Sequence, residues 1–346
     1  MEIARFRRIL VTGGAGFIGS NFARYLLEQG APEIVVLDKL TYAGNLANLT
    51  DLAGRPGFRF IQGDIADPAA VAAAMENCDA VVNFAAETHV DRSLLEPAAF
   101  IQTNVHGTYV LLETALRTGV ERFVQVSTDE VYGEVLTGRS RESDPLRPRN
   151  PYSASKASGD LFALAYHASY DLPVMVTRGA NTYGPCQHPE KFIPLSVTNL
   201  LEGRPIPIYG DGRQERDWLH VRDHCRAIAL VLTSGEPGQV YNVGAGNHRP
   251  NLEVARTIVR LLGLSDDLIQ HVADRPGHDR RYAVDASKIE ALGWEPEIPF
   301  EAGLAETVRW YETHRDWWMP LKSGQFADYY RRNYGSRAVL SGGAET

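Results

Sequence analysis

The chain has 346 residues, of which 44% are hydrophobic, and a formal net charge of −8. A chain of this length can bury a large core, either in two domains or in one large α/β unit with an appended lobe. The net negative charge argues against a nucleic-acid-binding protein, because that function needs clustered positive charge. No segment reaches the roughly 18 uncharged apolar residues that span a membrane, and the N-terminus leads straight into a strand, so we expect a cytoplasmic protein.

The cysteines, Cys78, Cys186 and Cys225, are odd in number and far apart in the sequence. Their spacing fits neither a disulfide framework nor a zinc site, and the ten histidines show no metal-ligand spacing either. We therefore expect reduced cysteines and no metal site.

The N-terminal segment has the pattern of a dinucleotide-binding unit. A short apolar strand, Arg8–Thr12, runs into the glycine-rich turn Gly13–Gly19, which opens a helix that continues to about Gln29. The glycines let the backbone approach a pyrophosphate, and the helix N-terminus offers free N–H groups. The next strand, Ile34–Asp38, ends in a carboxylate that can accept ribose hydroxyls and would repel the 2′-phosphate of NADP, so the pattern favours NAD.

Strands and helices alternate after this unit and predict an α/β protein with a Rossmann-type, doubly wound parallel sheet. After Arg178, frequent proline and glycine predict a smaller α/β lobe. We expect a first domain over 1–180 that binds NAD and carries the catalytic residues, a second lobe over 181–330 that is partly interleaved with it, and a mobile tail over 336–346. The predicted strands are Phe58–Gln62, Ala80–Phe84, Arg122–Ser127 and Val174–Arg178, and the predicted helices lie at about Pro68–Glu76, Pro97–Arg117, Pro151–Ser169, Asp223–Thr233, Asn251–Leu262 and Phe300–Thr313.

Reactive side chains are concentrated between residues 127 and 156. Thr128, Asp129 and Glu130 follow a predicted buried strand, so a hydroxyl and two acids should emerge together where that strand ends. Tyr152 and Lys156, spaced i and i+4 on a predicted helix, share one face of it. A free tyrosine titrates at about 10, and a nearby cation lowers the pKa of an acid by roughly 1–3 units, which would make Tyr152 a base at neutral pH.

The Gly-x-x-Gly-x-x-Gly turn and the Tyr-x-x-x-Lys pair resemble those of the short-chain dehydrogenase/reductase superfamily. From about Arg8 to Tyr330 the chain resembles the extended, nucleotide-sugar branch of that superfamily, and most closely the dTDP-glucose 4,6-dehydratases. Asp129 and Glu130 distinguish the dehydratases from the related epimerases, which usually have non-acidic residues at these positions. Further matching segments are residues 86–93, 181–185, 189–194, 207–209, 216–218, 251–253 and 274–278.

The resemblance implies dehydration of the sugar through an internal redox cycle. Tyr152, held ionised by Lys156, takes the proton of the 4-hydroxyl while hydride passes from C4 to NAD, and Thr128 hydrogen-bonds the same oxygen. Glu130 then removes the C5 proton as Asp129, in its protonated form, donates to the departing 6-hydroxyl. Hydride returns to C6, so NAD is regenerated in each turnover and stays tightly bound.

The resemblance also implies binding residues, with the second lobe holding the nucleotide sugar. The implied cofactor contacts are Gly13, Gly16, Phe17, Ile18, Gly19, Asp38, Lys39, Leu40, Thr41, Asp64, Ile65, Ala85, Ala86, Thr88, Thr103, Tyr152, Lys156 and Thr182. The implied substrate contacts are His89, Thr128, Asn181, Lys191, Phe192, Pro207, Tyr209, Arg216, Asn251, Arg275 and His278, with Arg216 and Arg275 on the diphosphate. Thr88 and Thr182 depart from the family pattern, which often has Ser and Asn there. A homodimer with a four-helix interface is implied as well.

Two other functions remain open on the sequence. One is a nucleotide-sugar 4-epimerase or decarboxylase of the same family, and the other is a non-catalytic dinucleotide-sensing protein, although such proteins commonly lose the Tyr or the Lys. The sequence also leaves open whether the base is thymine or uracil, because one methyl group is worth only about 1–3 kcal/mol in an apolar pocket. Whether the product serves a cell-surface polysaccharide or a secondary metabolite is equally open.

Overall fold

A computed structural model describes residues 2–335 and 337–340 of the chain. The strands, numbered along the chain, are β1 Ile9–Thr12, β2 Ile34–Asp38, β3 Phe58–Gln62, β4 Ala80–Asn83, β5 Arg122–Thr128, β6 Val174–Gly179, β7 Asn181–Tyr183, β8 Ile206–Tyr209, β9 Glu215–His220, β10 Val240–Val243, β11 His248–Pro250 and β12 Ile269–Val272. A seven-stranded sheet has the order β10-β6-β5-β4-β1-β2-β3, and its neighbouring strands are parallel. The predicted doubly wound parallel sheet is therefore confirmed.

Helices cover both faces of this sheet, and others belong to the second lobe. Along the chain, the helices are α1 Phe17–Glu28, α2 Pro68–Met75, α3 Val90–Leu95, α4 Pro97–Phe100, α5 Thr108–Thr118, α6 Pro151–Tyr170, α7 Phe192–Leu201, α8 Val221–Ser234, α9 Asn251–Leu261, α10 Ser287–Glu290, α11 Phe300–Thr313, α12 Arg315–Trp318 and α13 Gln325–Tyr334. Successive strand residues point to opposite faces, so Val11 and Val36 pack with α1 and α8, whereas Leu10 and Val35 pack with α2, α5 and α6. The strands are buried on both faces, as their nearly continuous apolar runs predict.

The region predicted as one helix over Pro97–Arg117 is divided in the structure. A π-helical turn, Ile101–Gly107, separates α4 from α5. Within it, the Asn104 side chain accepts a hydrogen bond from the Glu87 N–H at 2.8 Å and donates to the Ser155 hydroxyl at 2.8 Å. The wider turn thus connects α6 to the segment that follows β4.

The second lobe contains two small sheets, β12-β8 and β11-β9-β7. Its core joins α7, α9 and α11 through buried side chains such as Val197, Ile258 and Leu304. Between these elements the chain returns to the large sheet, where β10 pairs with β6 and α8 packs against α1. The sequence analysis had identified α8 but not β10, α3, α7 or α13.

The C-terminal residues 337–340 run beside β12. The Ala273 N–H donates to the Ala338 carbonyl at 2.9 Å, and the Leu340 N–H donates to the His271 carbonyl at 2.9 Å. The remainder of the predicted tail, residues 336 and 341–346, lies outside the described residues. Within the described helices there is no stretch that combines the length and apolarity needed to cross a membrane.

A substitution of Leu232 tests whether α8 belongs to the hydrophobic core of the large sheet. Its side chain is fully buried with those of α1 and the large sheet. We expect Leu232→Ala to lower the free energy of unfolding by about 2–5 kcal/mol, because it leaves a cavity. The matched variant Leu261→Ala, at a position 44% exposed, should change it by less than about 0.5 kcal/mol. Equal effects in denaturant unfolding would contradict this assignment.

Candidate active site

A continuous cavity lies at the carboxyl ends of β1, β2, β4, β5 and β6. Ligands of open α/β sheets bind at this edge, where the strand order reverses. The cavity brings together the predicted catalytic residues Thr128, Asp129, Glu130, Tyr152 and Lys156, and every predicted cofactor residue except Leu40. Of the predicted substrate residues, Thr128, Asn181 and Lys191 line it. Among the described residues, the others stand outside its wall: His89, Phe192, Pro207, Tyr209, Arg216, Asn251, Arg275 and His278.

The glycine turn after β1 fits a dinucleotide. Gly13 has φ +65°, and a Cβ there would lie 2.6 Å from the Ala85 nitrogen. A Cβ on Gly19 would lie 2.4 Å from the Gly13 carbonyl oxygen. Gly16 is the N-cap of α1 and offers no side-chain cap, so the first N–H groups of this helix are available to a pyrophosphate. These residues could therefore hold NAD.

Asp38 organises this turn. One carboxylate oxygen accepts the Ala15 N–H at 2.9 Å, and the other accepts the Leu40 N–H at 2.8 Å. Burial raises the pKa of Asp38, and these backbone donors oppose the shift. Leu40 thus supports Asp38 through its backbone instead of lining the cavity. Because a carboxylate oxygen can accept more than one hydrogen bond, Asp38 can still receive the ribose hydroxyls.

Asp129 is a buried acid at the end of β5. One of its oxygens accepts a hydrogen bond from the Thr128 hydroxyl at 3.2 Å, and the other is buried with no partner among the described residues. Burial raises the pKa of Asp129 to about 8, and the neighbouring Glu130 carboxylate adds to the shift. At neutral pH Asp129 therefore carries a proton that it can donate.

Glu130 lies next to Asp129 but has different neighbours. Burial raises the pKa of Glu130, while the positive charges of Arg275, Arg216 and Lys191 oppose that shift. The cations stabilise a carboxylate at Glu130, whereas the Glu130 charge stabilises a protonated Asp129. The two adjacent acids are thereby suited to opposite roles, one as a base and the other as an acid.

The relation between Tyr152 and Lys156 differs from the one expected. The Lys156 ammonium donates to the Val126 carbonyl at 2.6 Å, and burial lowers the pKa of Lys156 to about 8. Burial, followed by the charge of Glu130, raises the pKa of Tyr152, and the Thr128 hydroxyl opposes this shift. In this arrangement the pKa of Tyr152 is raised and the ammonium is directed at the β5 backbone, so the lowering of that pKa by Lys156 stays a prediction.

Arg216 and Arg275, predicted on the diphosphate, have different environments. Arg216 donates to the carbonyls of Glu215 at 2.8 Å and Asp279 at 2.9 Å and lies over the Tyr282 ring at 4.4 Å. Arg275 forms an ion pair with Asp91 at 2.7 Å, and its buried Nε has no partner among the described residues. Arg275 therefore retains a donor for an anion, whereas backbone carbonyls already occupy Arg216.

Of the remaining predicted substrate residues, Lys191 lines the cavity and the others lie outside its wall. Lys191 donates to the Thr88 carbonyl at 2.7 Å, and the His89 ring lies 3.3 Å from the Glu190 carbonyl. His278 pairs with Asp274 at 2.7 Å. Asn251 has a buried side-chain oxygen without a partner in the described part of the chain, Phe192 contacts Trp218, and Pro207 and Tyr209 belong to β8.

Glu190 and His224 are among the residues of the cavity wall that the sequence analysis missed. Glu190 pairs with Arg92 at 2.8 Å; burial alone would raise its pKa, but His89, His188 and Arg92 outweigh burial and lower it to about 2. His224 lies 2.8 Å from the Thr182 hydroxyl, and burial lowers its pKa to about 4. Glu190 belongs to the matching segment 189–194 and could have been found there, whereas nothing in the sequence around His224 signals its place.

No group of three or more His, Cys, Asp or Glu side chains within residues 2–335 and 337–340 has the geometry to hold a metal ion. The cavity itself is lined by the glycine turn, by hydroxyls and by ionisable side chains. It is suited to a dinucleotide and to acid–base chemistry.

Comparison with known proteins places this geometry in a family context. The family model described as GDP-mannose 4,6 dehydratase matches residues 10–307. The dTDP-glucose 4,6-dehydratase of Streptomyces niveus is 52% identical over 322 residues, which cover 91% of this chain and 96% of that protein. The sequence resemblance to the dehydratases is thereby confirmed.

Solved structures agree. The crystal structure of DesIV, a dTDP-glucose 4,6-dehydratase from Streptomyces venezuelae with NAD bound, matches with a TM-score of 0.90 and 53% identity, covering 91% of this chain and all of that one. The UDP-glucose 4-epimerase of Thermus thermophilus, in complex with NAD, matches with a TM-score of 0.83 and 34% identity over 89% of this chain and 99% of its own. The chain is thus more similar to the dehydratase than to this epimerase.

The raised pKa of Asp129 predicts a pH-dependent stability. A free aspartate titrates at about 3.9, so between about pH 4 and pH 8 the folded state binds a proton that the unfolded chain has lost. The free energy of unfolding should therefore fall as the pH rises through this window. Asp129→Asn cannot ionise and should flatten this dependence, measured by urea unfolding at about pH 5 and about pH 8.

Asp328→Asn, at an exposed position on α13, is the matched control and should keep the wild-type pH dependence. An Asp129→Asn protein whose stability changes with pH as much as that of the wild type would refute the assignment.

Proposed function

The chain belongs to the GDP-mannose 4,6-dehydratase family, and from that premise we propose that it is an NAD-dependent dTDP-glucose 4,6-dehydratase that forms dTDP-4-keto-6-deoxyglucose for deoxysugar biosynthesis. The observation that carries this proposal is the adjacent pair of acids, buried Asp129 and half-buried Glu130, which line the same cavity as Tyr152. An epimerase needs to oxidise C4 but has no use for a protonated acid beside a base. An elimination of water needs both.

Tyr152 acts in the oxidation at C4. The Tyr152 side chain lines the cavity beside the Thr128 hydroxyl, so both oxygens can hydrogen-bond to the 4-hydroxyl of the substrate. NAD, when bound, would supply the hydride acceptor. Lys156 fixes α6 to β5 through the Val126 carbonyl.

Asp129 and Glu130 act in the elimination. The ketone at C4 makes the C5 proton acidic, and Glu130 accepts this proton. Asp129 gives its proton to the 6-hydroxyl, so that this group leaves as water and a C5–C6 double bond forms. Glu130 returns its proton to C5 when C6 is reduced. Asp129 is left ionised and Tyr152 protonated, and loss of the Tyr152 proton to solvent with uptake of one by Asp129 restores the starting state.

Arg275 and Lys191 are the cations that we assign to the substrate diphosphate. Both are half-buried, and both oppose the burial-induced rise in the pKa of Glu130. Arg216 is assigned a supporting part, because its guanidinium already donates to backbone carbonyls. Thymine is the proposed base of the nucleotide, because the dehydratases named above are dTDP-glucose 4,6-dehydratases.

We also infer a homodimer. Exposed apolar side chains lie on the π-helical turn, α5 and α6, where a monomer would leave them in water. They are Ile101, Tyr109, Leu161, Phe162 and Tyr170. This face supports the four-helix interface implied by the sequence resemblance. A cytoplasmic location belongs to the same proposal and is supported by the cysteines, which are free thiols.

The reaction is tested with purified protein, dTDP-glucose and no added NAD. We expect mass spectrometry to find a sugar that has lost one water, because the bound cofactor is regenerated. An isomer of unchanged mass would favour the epimerase. An unchanged substrate would favour a non-catalytic protein or the decarboxylase, which needs a carboxylated sugar. Either result would contradict the proposal.

Two variants separate the half-reactions. Glu130→Gln should still reduce the bound cofactor when substrate is added, seen as absorbance of the reduced nicotinamide, but should lose water about 10²–10⁴-fold more slowly. Tyr152→Phe should slow both steps. Glu306→Gln is the matched exposed control and should behave as wild type. Equal loss of both steps in Glu130→Gln would remove Glu130 from the elimination.

The dimer is tested by a charge on its proposed face. Leu161 is 58% exposed on α6, and Leu161→Glu would bury an unpaired carboxylate in the interface. We expect sedimentation to show a dimer for the wild type and a shift toward monomer for this variant. Leu261→Glu, on α9, should remain dimeric. A monomeric wild type would contradict the inference.

A further inference from the structure

Asp91 is a buried carboxylate that the reaction scheme does not use. It lies on α3, just after the segment that lines the cavity at Thr88, and it is 4% exposed. Burying a charge without partners costs free energy, so the contacts of Asp91 indicate its role.

The Asp91 carboxylate accepts hydrogen bonds from separate parts of the second lobe. One oxygen is 2.7 Å from the Arg275 Nη1 atom. The other accepts from the Tyr209 hydroxyl at 2.9 Å, the Asn333 amide at 3.2 Å and the Tyr329 hydroxyl at 3.3 Å. These donors fill the lone-pair positions of a carboxylate. One side chain of the first domain thereby contacts β8, the 274–278 segment and α13.

The C-terminal segment closes around the same point. Tyr334 stacks on Tyr209 with ring centroids 5.9 Å apart, and the Arg337 guanidinium lies 4.6 Å from the Tyr209 ring. On the cavity side, the Tyr329 ring lies 5.3 Å from the ring of His89. The helix α13 therefore covers predicted substrate residues and depends on Asp91 for a polar attachment.

The geometry at Arg275 indicates what the contact with Asp91 does for this arginine. Asp91 occupies one terminal nitrogen of the guanidinium, and the Nε atom is buried with no partner in the described part of the chain. An arginine held at one nitrogen has lost much of its rotational freedom, so its remaining N–H groups are fixed for a second anion. The ion pair also keeps this arginine beside Glu130, where its charge acts.

We propose that Asp91 is a positioning residue, which holds Arg275 ready for the diphosphate of the nucleotide sugar and fastens α13 over the bound substrate. The inference rests on the proposed function for the identity of the anion. Asp91 itself does not touch the reacting atoms. Its loss should therefore weaken substrate binding more than it slows the chemical steps.

The test uses the NAD-bound protein and thymidine diphosphate as the probe. We expect Asp91→Asn to raise the dissociation constant at least tenfold in calorimetric titration, because one partner of a buried charge pair is removed. The KM for dTDP-glucose should rise in parallel, whereas kcat at saturating substrate should change less than about threefold. Amide hydrogens of residues 325–334 should exchange faster in this variant.

A double-mutant cycle with Arg275→Met shows whether Asp91 acts through the arginine. In the Arg275→Met background, Asp91→Asn should add less than about twofold to the dissociation constant, since the group that it positions is gone. Independent, multiplying effects would overturn the positioning role. Asp328→Asn removes the same charge from an exposed site of α13 and should bind the probe as wild type does.

Tyr329→Phe is the milder variant, used if Asp91→Asn does not fold. It removes one hydrogen bond to Asp91 and should raise the dissociation constant about threefold and speed exchange in α13. Unchanged probe affinity in the folded variants would refute the inference even if the wild type dehydrates dTDP-glucose. A wild type that neither binds the probe nor loses water from the sugar would instead refute the proposed function.

Discussion

Asp129, which is buried, and Glu130, which is half-buried, are adjacent carboxyl groups at the end of β5, and the surrounding site is arranged around the cost of withdrawing them from water. Ionising both together is unfavourable because their charges repel. The charges of Arg275, Arg216 and Lys191 oppose the rise in the pKa of Glu130, and a charge on Glu130 favours the protonated form of Asp129. The same pair also raises the pKa of Tyr152, so the three groups titrate as one coupled system.

The dinucleotide side of the cavity is built on close backbone approach. Gly13 and Gly19 leave no room for a side chain, and Asp38 fixes the turn through backbone N–H groups. These contacts are independent of the carboxyl pair, which explains how relatives with different reactions can keep the same cofactor unit. In the proposed function, the chemistry is decided where β5 ends, and residues of the second lobe hold the substrate.

The sequence predicted those parts of the protein whose cause is local. The strand Phe58–Gln62 and the helix Phe300–Thr313 have the predicted bounds, because alternating or helical apolar patterns fix them directly. The residues at strand ends, such as Asp38 and Thr128, meet in one cavity because parallel strands end at one edge. The π-helical turn at Ile101–Gly107 was not predictable, since it depends on Asn104 meeting Glu87 and Ser155 in space.

Side-chain direction and long-range contact were the other limits. Spacing i, i+4 placed Lys156 and Tyr152 on one face, but it could not show that the ammonium would bond to the Val126 carbonyl. Likewise, Asp91 lies within a segment that matched the family, yet its partners are more than a hundred residues away in the chain. Such roles become visible only when the fold brings distant segments together.

The internal redox cycle is tested most directly by following hydrogen from C4. A mixture of dTDP-glucose deuterated at C4 and dTDP-glucose labelled with carbon-13 but not deuterium is converted by the purified protein, and the products are weighed by mass spectrometry. If the cofactor stays in the site, deuterium should appear at C6 of the carbon-12 product and should be absent from the carbon-13 product. Deuterium in the carbon-13 product, or its loss to added unlabelled cofactor, would contradict the cycle.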